Sequence, residues 1–326
     1  MSSSNCQVSV RQRTSSTWIF KSSPGGLSAT TKPPPSMSKP RLAARGNPGL
    51  VTYDEIPAWY QDNDYILEGY RPVSGSASLS FASWLYIHNE TVNIYTHLLP
   101  AVAFLLGVWY VVDYLHSNYA DVTAVDELIF VFFLLTATAC LGLSTTYHTL
   151  INHSFAVETF WLRLDFIGIV VLTLGSFVSG IYVSFWCEAA QRNIYWAMIS
   201  MLGSLTIFLL VSPKFQGRRW RTLRTCTFVA TGLSGFAPLV HGVTLFGLPQ
   251  MLRQSGMPYY LTEGALYILG VTVYATRFPE CLSPGRFDIY GSSHQIFHVL
   301  VVAATIVHFA GVLAAYDYNY HNRMCS

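Results

Sequence analysis

The stretch IYGSSHQIFHVLVVAATIVHFAGVLAAY, residues 289–316, carries no Lys, Arg, Asp or Glu, and near its start stand two histidines, His294 and His298. A run of that length and apolarity suits a helix that crosses a bilayer, which takes about 20 residues. Imidazoles four residues apart share one helix face, roughly one turn from each other. The stretch therefore raises two questions: how many such helices the chain holds, and what the histidines bind at the end of one.

Working outward, the charge-poor pattern recurs. Spans are expected at 94–115, 127–148, 165–186, 193–212, 225–247, 257–276 and 293–316. The sixth is the weakest, because Glu263 interrupts it; it is kept because the loops otherwise make no topological sense. The sequence thus predicts an all-α membrane protein, a bundle of seven transmembrane helices. Composition agrees: 52% of the 326 residues are hydrophobic and 11% charged, against about 25% charged in a soluble domain. A net charge of +2 gives no footing for a nucleic-acid partner.

Residues 51–93 mix aromatic and acidic positions and read as a juxtamembrane segment with an interfacial helix. Residues 317–326 read as a short C-terminal tail. Residues 1–50 hold no Asp or Glu and are rich in Ser, Pro and basic residues. Such a stretch cannot bury enough apolar surface to offset its ordering entropy, so a disordered tail is expected. It has no apolar region of the kind that marks a cleaved signal peptide. Cys6, Cys140, Cys187, Cys226, Cys281 and Cys325 are scattered without a CxxC pair. They read as small apolar residues and not as a disulfide framework.

Basic residues orient the bundle. The tail carries Arg11, Arg13, Lys21, Lys32, Lys39, Arg41, Arg45 and Arg71; the loop after span four carries Lys214, Arg218, Arg219, Arg221 and Arg224; the loop after span six carries Arg277 and Arg286. Only Arg192, Arg253 and Arg323 fall on the other side. The positive-inside rule then puts the N-terminus in the cytosol and the C-terminus outside, the reverse of a G-protein-coupled receptor. The membrane is the plasma membrane or the endoplasmic reticulum. The sequons at Asn89 and Asn152 fall inside and should carry no glycan.

With that orientation four polar residues reach similar depth at the cytosolic face. His148 ends the second span, Asp165 opens the third, and His294 and His298 open the seventh. Ionisable residues in spans are functional candidates by default. The HxxxH spacing offers two imidazoles to one zinc ion, with His148 as third ligand; three protein ligands plus water is the open catalytic pattern. Asp165 is then placed to hydrogen-bond that water, and Ser144, one turn from His148, likewise. Plainer readings stand beside these: Asp165 pairing with Arg163 or Arg286, and Ser144 bonding a helix carbonyl. His308, about 15 Å beyond His298 along the helix, reads as a bundle histidine with partners of its own. His88, His97 and His153 read as interfacial hydrogen bonders. Glu90, Asn93 and His97 share a face and read as a structural seam. The turn-rich loop from Pro279 to Asp288 caps the metal mouth or simply joins two helices.

Taken in order, Trp59-Tyr60-Gln61-Asp62-Asn63-Asp64-Tyr65, His88 to Leu98, Ser144 to His148, Asp165 to Ile169, Ala275 to Glu280, Pro284 to Asp288 and Ser293 to His298 resemble the progestin and adiponectin receptor family. That family also holds the bacterial haemolysin III proteins and fungal zinc-homeostasis membrane proteins. The resemblance covers about residues 50–316, and the tail looks more like that of a fungal member than of an animal receptor. It implies seven helices, a cytosolic N-terminus, and an intramembrane zinc held by His148, His294 and His298, with Ser144 and Asp165 at the family's Ser and Asp. The wider superfamily includes alkaline ceramidases, which share this pattern and hydrolyse a lipid amide.

The function expected is a zinc-dependent lipid amide hydrolase, with Asp165 and Ser144 catalytic and ceramide or another acyl-chain lipid as substrate, acting in lipid and zinc homeostasis. The alternatives are a receptor-like signalling protein with a structural zinc, and a zinc or proton transporter. Against a transporter stands the clustering of polar residues at one face. A retinal protein is excluded, because Lys21, Lys32, Lys39 and Lys214 all lie outside the spans.

Overall fold

A computed structural model describes residues 49–215 and 218–325. The tail expected over residues 1–50 lies, but for its last two positions, outside the described residues. Among the described residues ten α-helices follow in order: α1 (Ala77–Ala82), α2 (Thr91–Asn118), α3 (Ala124–Leu150), α4 (Phe155–Ser184), α5 (Ala189–Val211), α6 (Arg221–Leu233), α7 (Phe236–Phe246), α8 (Leu248–Gln254), α9 (Met257–Thr276) and α10 (Ser293–Asn322). Among the described residues there is no strand, only an isolated bridge between Val51 and Tyr70.

Among the described residues six helical segments are long and apolar enough to cross a membrane: α2, α3, α4, α5, the stretch Thr222–Phe246 and α10. The stretch Thr222–Phe246 is α6 and α7 together, so the single helix expected over 225–247 is interrupted. The Ser234 N–H bonds back to the Ala230 and Thr231 carbonyls and the Gly235 N–H to that of Gly232, a tightened last turn. A side chain at Gly235 would come 3.2 Å from the Phe177 ring. Pro238 sits in the first turn of α7, where its missing N–H costs nothing. The 20 residues of α9 reach about 30 Å, and Glu263 lies among them, buried.

The core lies between α2, α3, α4 and α10, around Leu115, Phe130, Phe133, Leu172, Val312 and Tyr316. Helices α3 and α4 approach closely because α4 carries glycine at the contact. A Cβ at Gly175 would fall 1.9 Å from Thr136 Oγ1, and one at Gly168 would fall 3.1 Å from the Cys140 Cα. Asp165 is one turn before Gly168 and Ser144 one turn after Cys140, so this approach brings the two together.

One end of the bundle is closed covalently. Cys187, just past α4, and Cys325, just past α10, form a disulfide. The reading of all six cysteines as apolar filler is corrected for this pair. Their separation of 138 residues leaves no spacing pattern to find. Arg323 pairs with Glu188 at 2.7 Å beside the disulfide. Buried Asn319 donates to the Val183 and Gln254 carbonyls at 2.9 and 2.8 Å. These contacts carry α10 on to Asn322, through much of the stretch set apart as a tail.

The other end is covered by residues 51–90. Ile56, Tyr60, Ile66 and Tyr70 pack against Tyr147 and Ile151 at the end of α3. Asp62 pairs with Arg277 at 2.8 Å, and Asp288 accepts the N–H groups of Leu67 and Glu68 at 2.9 and 2.8 Å. The loop between α9 and α10 therefore docks on this segment as well as joining two helices. Around the short α1, Leu79, Leu85 and Ile87 are exposed, apolar surface suited to a membrane interface.

Candidate metal centre

His148 lies in the last turn of α3, where free carbonyls make a negative helix end. The fully buried Arg71 guanidinium supplies the complement: Nη2 donates to the His148 carbonyl at 2.6 Å, and Nη1 to the Thr149 carbonyl at 2.9 Å and Ser83 Oγ at 2.7 Å. His294 and His298 lie at the start of α10, a positive helix end. There the buried Glu280 carboxylate accepts the Ser293 N–H at 2.8 Å, the Ser293 hydroxyl, and Asn63 Nδ2 at 3.0 Å. Each ligand-bearing helix end is thus fixed by a buried side chain of the sign its dipole favours.

The two ends meet. One ring nitrogen each from His148, His294 and His298 lies within 4.8 Å of the others. The ring centroids are 5.0 Å apart for His148 and His294, 4.8 Å for His148 and His298, and 4.8 Å for His294 and His298.

Two of the three rings also have a determined tautomer. His148 Nδ1 lies 2.8 Å from Glu90 Oε2, and a carboxylate only accepts, so Nδ1 carries the proton. In the neutral ring His148 Nε2 is then the lone-pair nitrogen, and it is buried without a hydrogen-bond partner. His298 Nδ1 lies 3.2 Å from the Asn93 carbonyl, again an acceptor. A buried lone pair with no donor costs free energy, and a cation among three imidazoles removes that cost. Three neutral imidazoles suit zinc, copper, iron and nickel alike. The residues therefore fit a divalent transition metal.

Ser144 is buried and Asp165 half-buried, and Asp165 lies close enough to feel both His148 and Ser144. Asp165 is outside the converging group of ligand atoms. His308 is elsewhere: Nδ1 meets Glu263 Oε2 at 2.8 Å and Nε2 meets Ser179 Oγ at 3.0 Å.

Two interfacial expectations need correction. His97 is 4% exposed and stacks flat on His298, centroids 3.7 Å apart and planes 3° apart. Neither of its ring nitrogens makes a hydrogen bond of normal geometry. His88 is fully buried and accepts the Glu90 N–H on Nδ1 at 3.0 Å. Burial first, then the nearby Arg71 charge, pushes His88 down to about 3, so it is a neutral acceptor at physiological pH. Arg71, Glu90 and Glu280 were not singled out for the site by sequence reasoning. Arg71 counted only as a basic residue of the tail, and Glu90 only as part of a seam. For Glu90 the i, i+3 and i+7 spacing with Asn93 and His97 was the available signal.

The model of the haemolysin-III related family matches residues 85–309, a stretch that holds every residue of the histidine cluster. The adiponectin receptor protein of Drosophila melanogaster is 38% identical over 260 residues, 80% of this chain and 58% of its own length. The ADIPOR-like receptor IZH2 of Saccharomyces cerevisiae is 35% identical over 306 residues, 94% of this chain and 95% of its own. Heptahelical transmembrane protein 5 of Arabidopsis thaliana is 32% identical over 335 residues, covering 80% of this chain and 89% of its own. The chain thus spans little more than half of the fly protein but nearly all of the yeast one. On these matches the chain is a membrane protein of the haemolysin III-related, adiponectin receptor-like family.

Proposed function

We propose that this protein is a seven-helix membrane protein with a zinc centre at its cytosolic end, and that the centre hydrolyses the amide bond of an acyl-chain lipid of the ceramide type. The observation that carries the reading is the convergence of His148, His294 and His298, with Asp165 and Ser144 beside them and outside the ligand group. Three protein ligands leave a position open, as catalytic zinc sites do and closed structural sites do not.

The count of seven takes α9 as a span, in keeping with the heptahelical name of the Arabidopsis relative. The orientation rests on the basic loops and on the disulfide at the end away from the histidines, since disulfides persist in oxidising compartments. Asn152 points the same way: it is buried and bonded to the Pro72 carbonyl and Ser80 Oγ, which suits a sequon without glycan. The membrane is the plasma membrane or the endoplasmic reticulum, and the role is in lipid and zinc homeostasis.

Zinc held by His148, His294 and His298 would supply a Lewis acid for the amide carbonyl and would make water a stronger acid. The Asp165 carboxylate takes the proton of the attacking water as general base. The Ser144 hydroxyl donates a hydrogen bond that steadies the water or the developing oxyanion. An apolar groove of about 490 Å³ between α2, α3 and α10, lined by Pro100, Phe104, Leu134, Val302 and Ile306, begins one turn past His298 and suits an acyl chain.

A second reading is favoured by the fly and yeast relatives, which are named as receptors: a receptor-like protein in which zinc is structural. One experiment separates the two. The protein is purified in detergent beside a His294→Ala/His298→Ala variant, zinc is counted by mass spectrometry, and fatty-acid release from ceramide is followed. One zinc per chain, lost in the variant together with fatty-acid release, is expected. Zinc without turnover would favour the receptor reading, and a folded wild type without zinc would remove the metal centre itself.

A further inference from the structure

The seam Glu90, Asn93 and His97 on the first two turns of α2 looked structural in the sequence, but every member of it touches a ligand histidine. Glu90 Oε2 accepts from His148 Nδ1 at 2.8 Å. The same oxygen accepts from Asn93 Nδ2 at 2.7 Å, which holds the carboxylate in place. The Asn93 carbonyl accepts from His298 Nδ1 at 3.2 Å. His97 lies face to face with the His298 ring, 3.7 Å away. Thr96 Oγ1 stands 3.5 Å from His298 Nδ1, at the edge of hydrogen-bond range. Helix α2 provides none of the converging ligand atoms, yet it contacts two of the three rings that do.

We infer that this face of α2 is the outer shell of the metal centre: Glu90, Asn93 and His97 are positioning residues that set the tautomer and ring plane of His148 and His298 and so set the affinity for the metal. The inference rests on the metal reading of the site, not on the hydrolase reading. A ligand imidazole donates its other N–H to a carboxylate or carbonyl, which points the bare nitrogen inward and raises its basicity. Glu90 does this with a full negative charge and the Asn93 carbonyl with a dipole, so Glu90 carries the larger share. His97 acts through its flat face. In a bundle where His298 would otherwise turn about its side-chain bonds, a parallel ring at van der Waals distance fixes the plane. The shell is itself anchored, since the Glu90 N–H donates to the buried His88 ring.

The test measures zinc affinity by competition with a chelating dye on the full-length protein in detergent. Monodispersity and the unfolding temperature of the metal-free protein serve as controls. Glu90→Ala should weaken zinc binding about 10- to 100-fold. Glu90→Gln keeps an acceptor oxygen without the charge, and should fall between it and wild type. His97→Phe, which keeps a flat ring, should hold zinc as wild type does, whereas His97→Ala should bind more weakly. Wild-type affinity in folded Glu90→Ala overturns the inference. If that variant does not fold, wild-type affinity in Glu90→Gln together with His97→Ala does so. A wild type that binds zinc without amidase activity would sink the hydrolase reading and leave this one intact; a folded wild type without zinc would instead remove the metal reading and this inference with it.

Discussion

At the scale of single residues, the chemistry turns on whether Asp165 touches the metal or the water. Its carboxylate is near enough to feel His148 and Ser144 but is not one of the converging ligand atoms. A general base is worth roughly 10²- to 10⁴-fold in rate, whereas a fourth ligand would be worth affinity. Asp165→Asn should therefore keep one zinc per chain by mass spectrometry and lose ceramide hydrolysis by about 100-fold or more. Loss of zinc in that variant would make Asp165 a ligand, close the site and return the argument to a structural metal. The residues in question were legible because function forces rare types into an apolar background. His148, His294 and His298 stand out in runs where little else is polar. Arg71 and Glu280 did not stand out, because basic and acidic residues are ordinary in loops. Only the three-dimensional course of residues 51–90 buries Arg71 at the end of α3.

At the scale of elements, helices meet where side chains allow it, and α4 meets α3 through Gly168 and Gly175. Gly175→Ala puts a carbon 1.9 Å from Thr136 Oγ1. Overpacking of this kind costs about 1–3 kcal/mol, and a lowered unfolding temperature in detergent should show it. Thr136→Ala in the same chain removes the closest atom and should recover part of the loss; no coupling between the two changes would mean that the helices meet elsewhere. The same scale explains α9. Glu263 made it the weakest span in the sequence, since a lone carboxylate in a bilayer is costly. In the bundle that carboxylate meets His308 on α10, which in turn meets Ser179 on α4. A hydrogen-bonded network across three helices offsets the cost that hydropathy charges to one. The partners were unreadable because the pairing of α9 with α10 across 45 residues has no local signal. The break between α6 and α7 was unread for a different reason: Gly232 and Gly235 are tolerated inside helices, and only the backbone bonds of Ser234 and Gly235 show that a turn forms there.

At the scale of the whole molecule, α4 and α10 run the same way, from the end that holds Asp165, His294 and His298 to the end that holds Cys187 and Cys325. A bundle with a histidine cluster at one end and a disulfide at the other is chemically polarised. Thiolates pair where the compartment is oxidising and stay reduced where glutathione rules. Basic residues are retained on the cytosolic side. These two rules are independent, one of redox and one of insertion, and the orientation proposed above satisfies both. In that orientation the histidines would draw metal and water from the cytosol, and a lipid head group would reach them from the inner leaflet. An epitope at the C-terminus should be stained by antibody on intact cells, and one at the N-terminus only after permeabilisation. Mass spectrometry of unreduced digests should find the peptides of Cys187 and Cys325 joined, and separate after reduction. An N-terminal epitope stained on intact cells would invert the bundle. It would leave the disulfide facing a reducing cytosol, and it would put the histidine site on the side where the positive-inside rule tolerates the fewest basic residues.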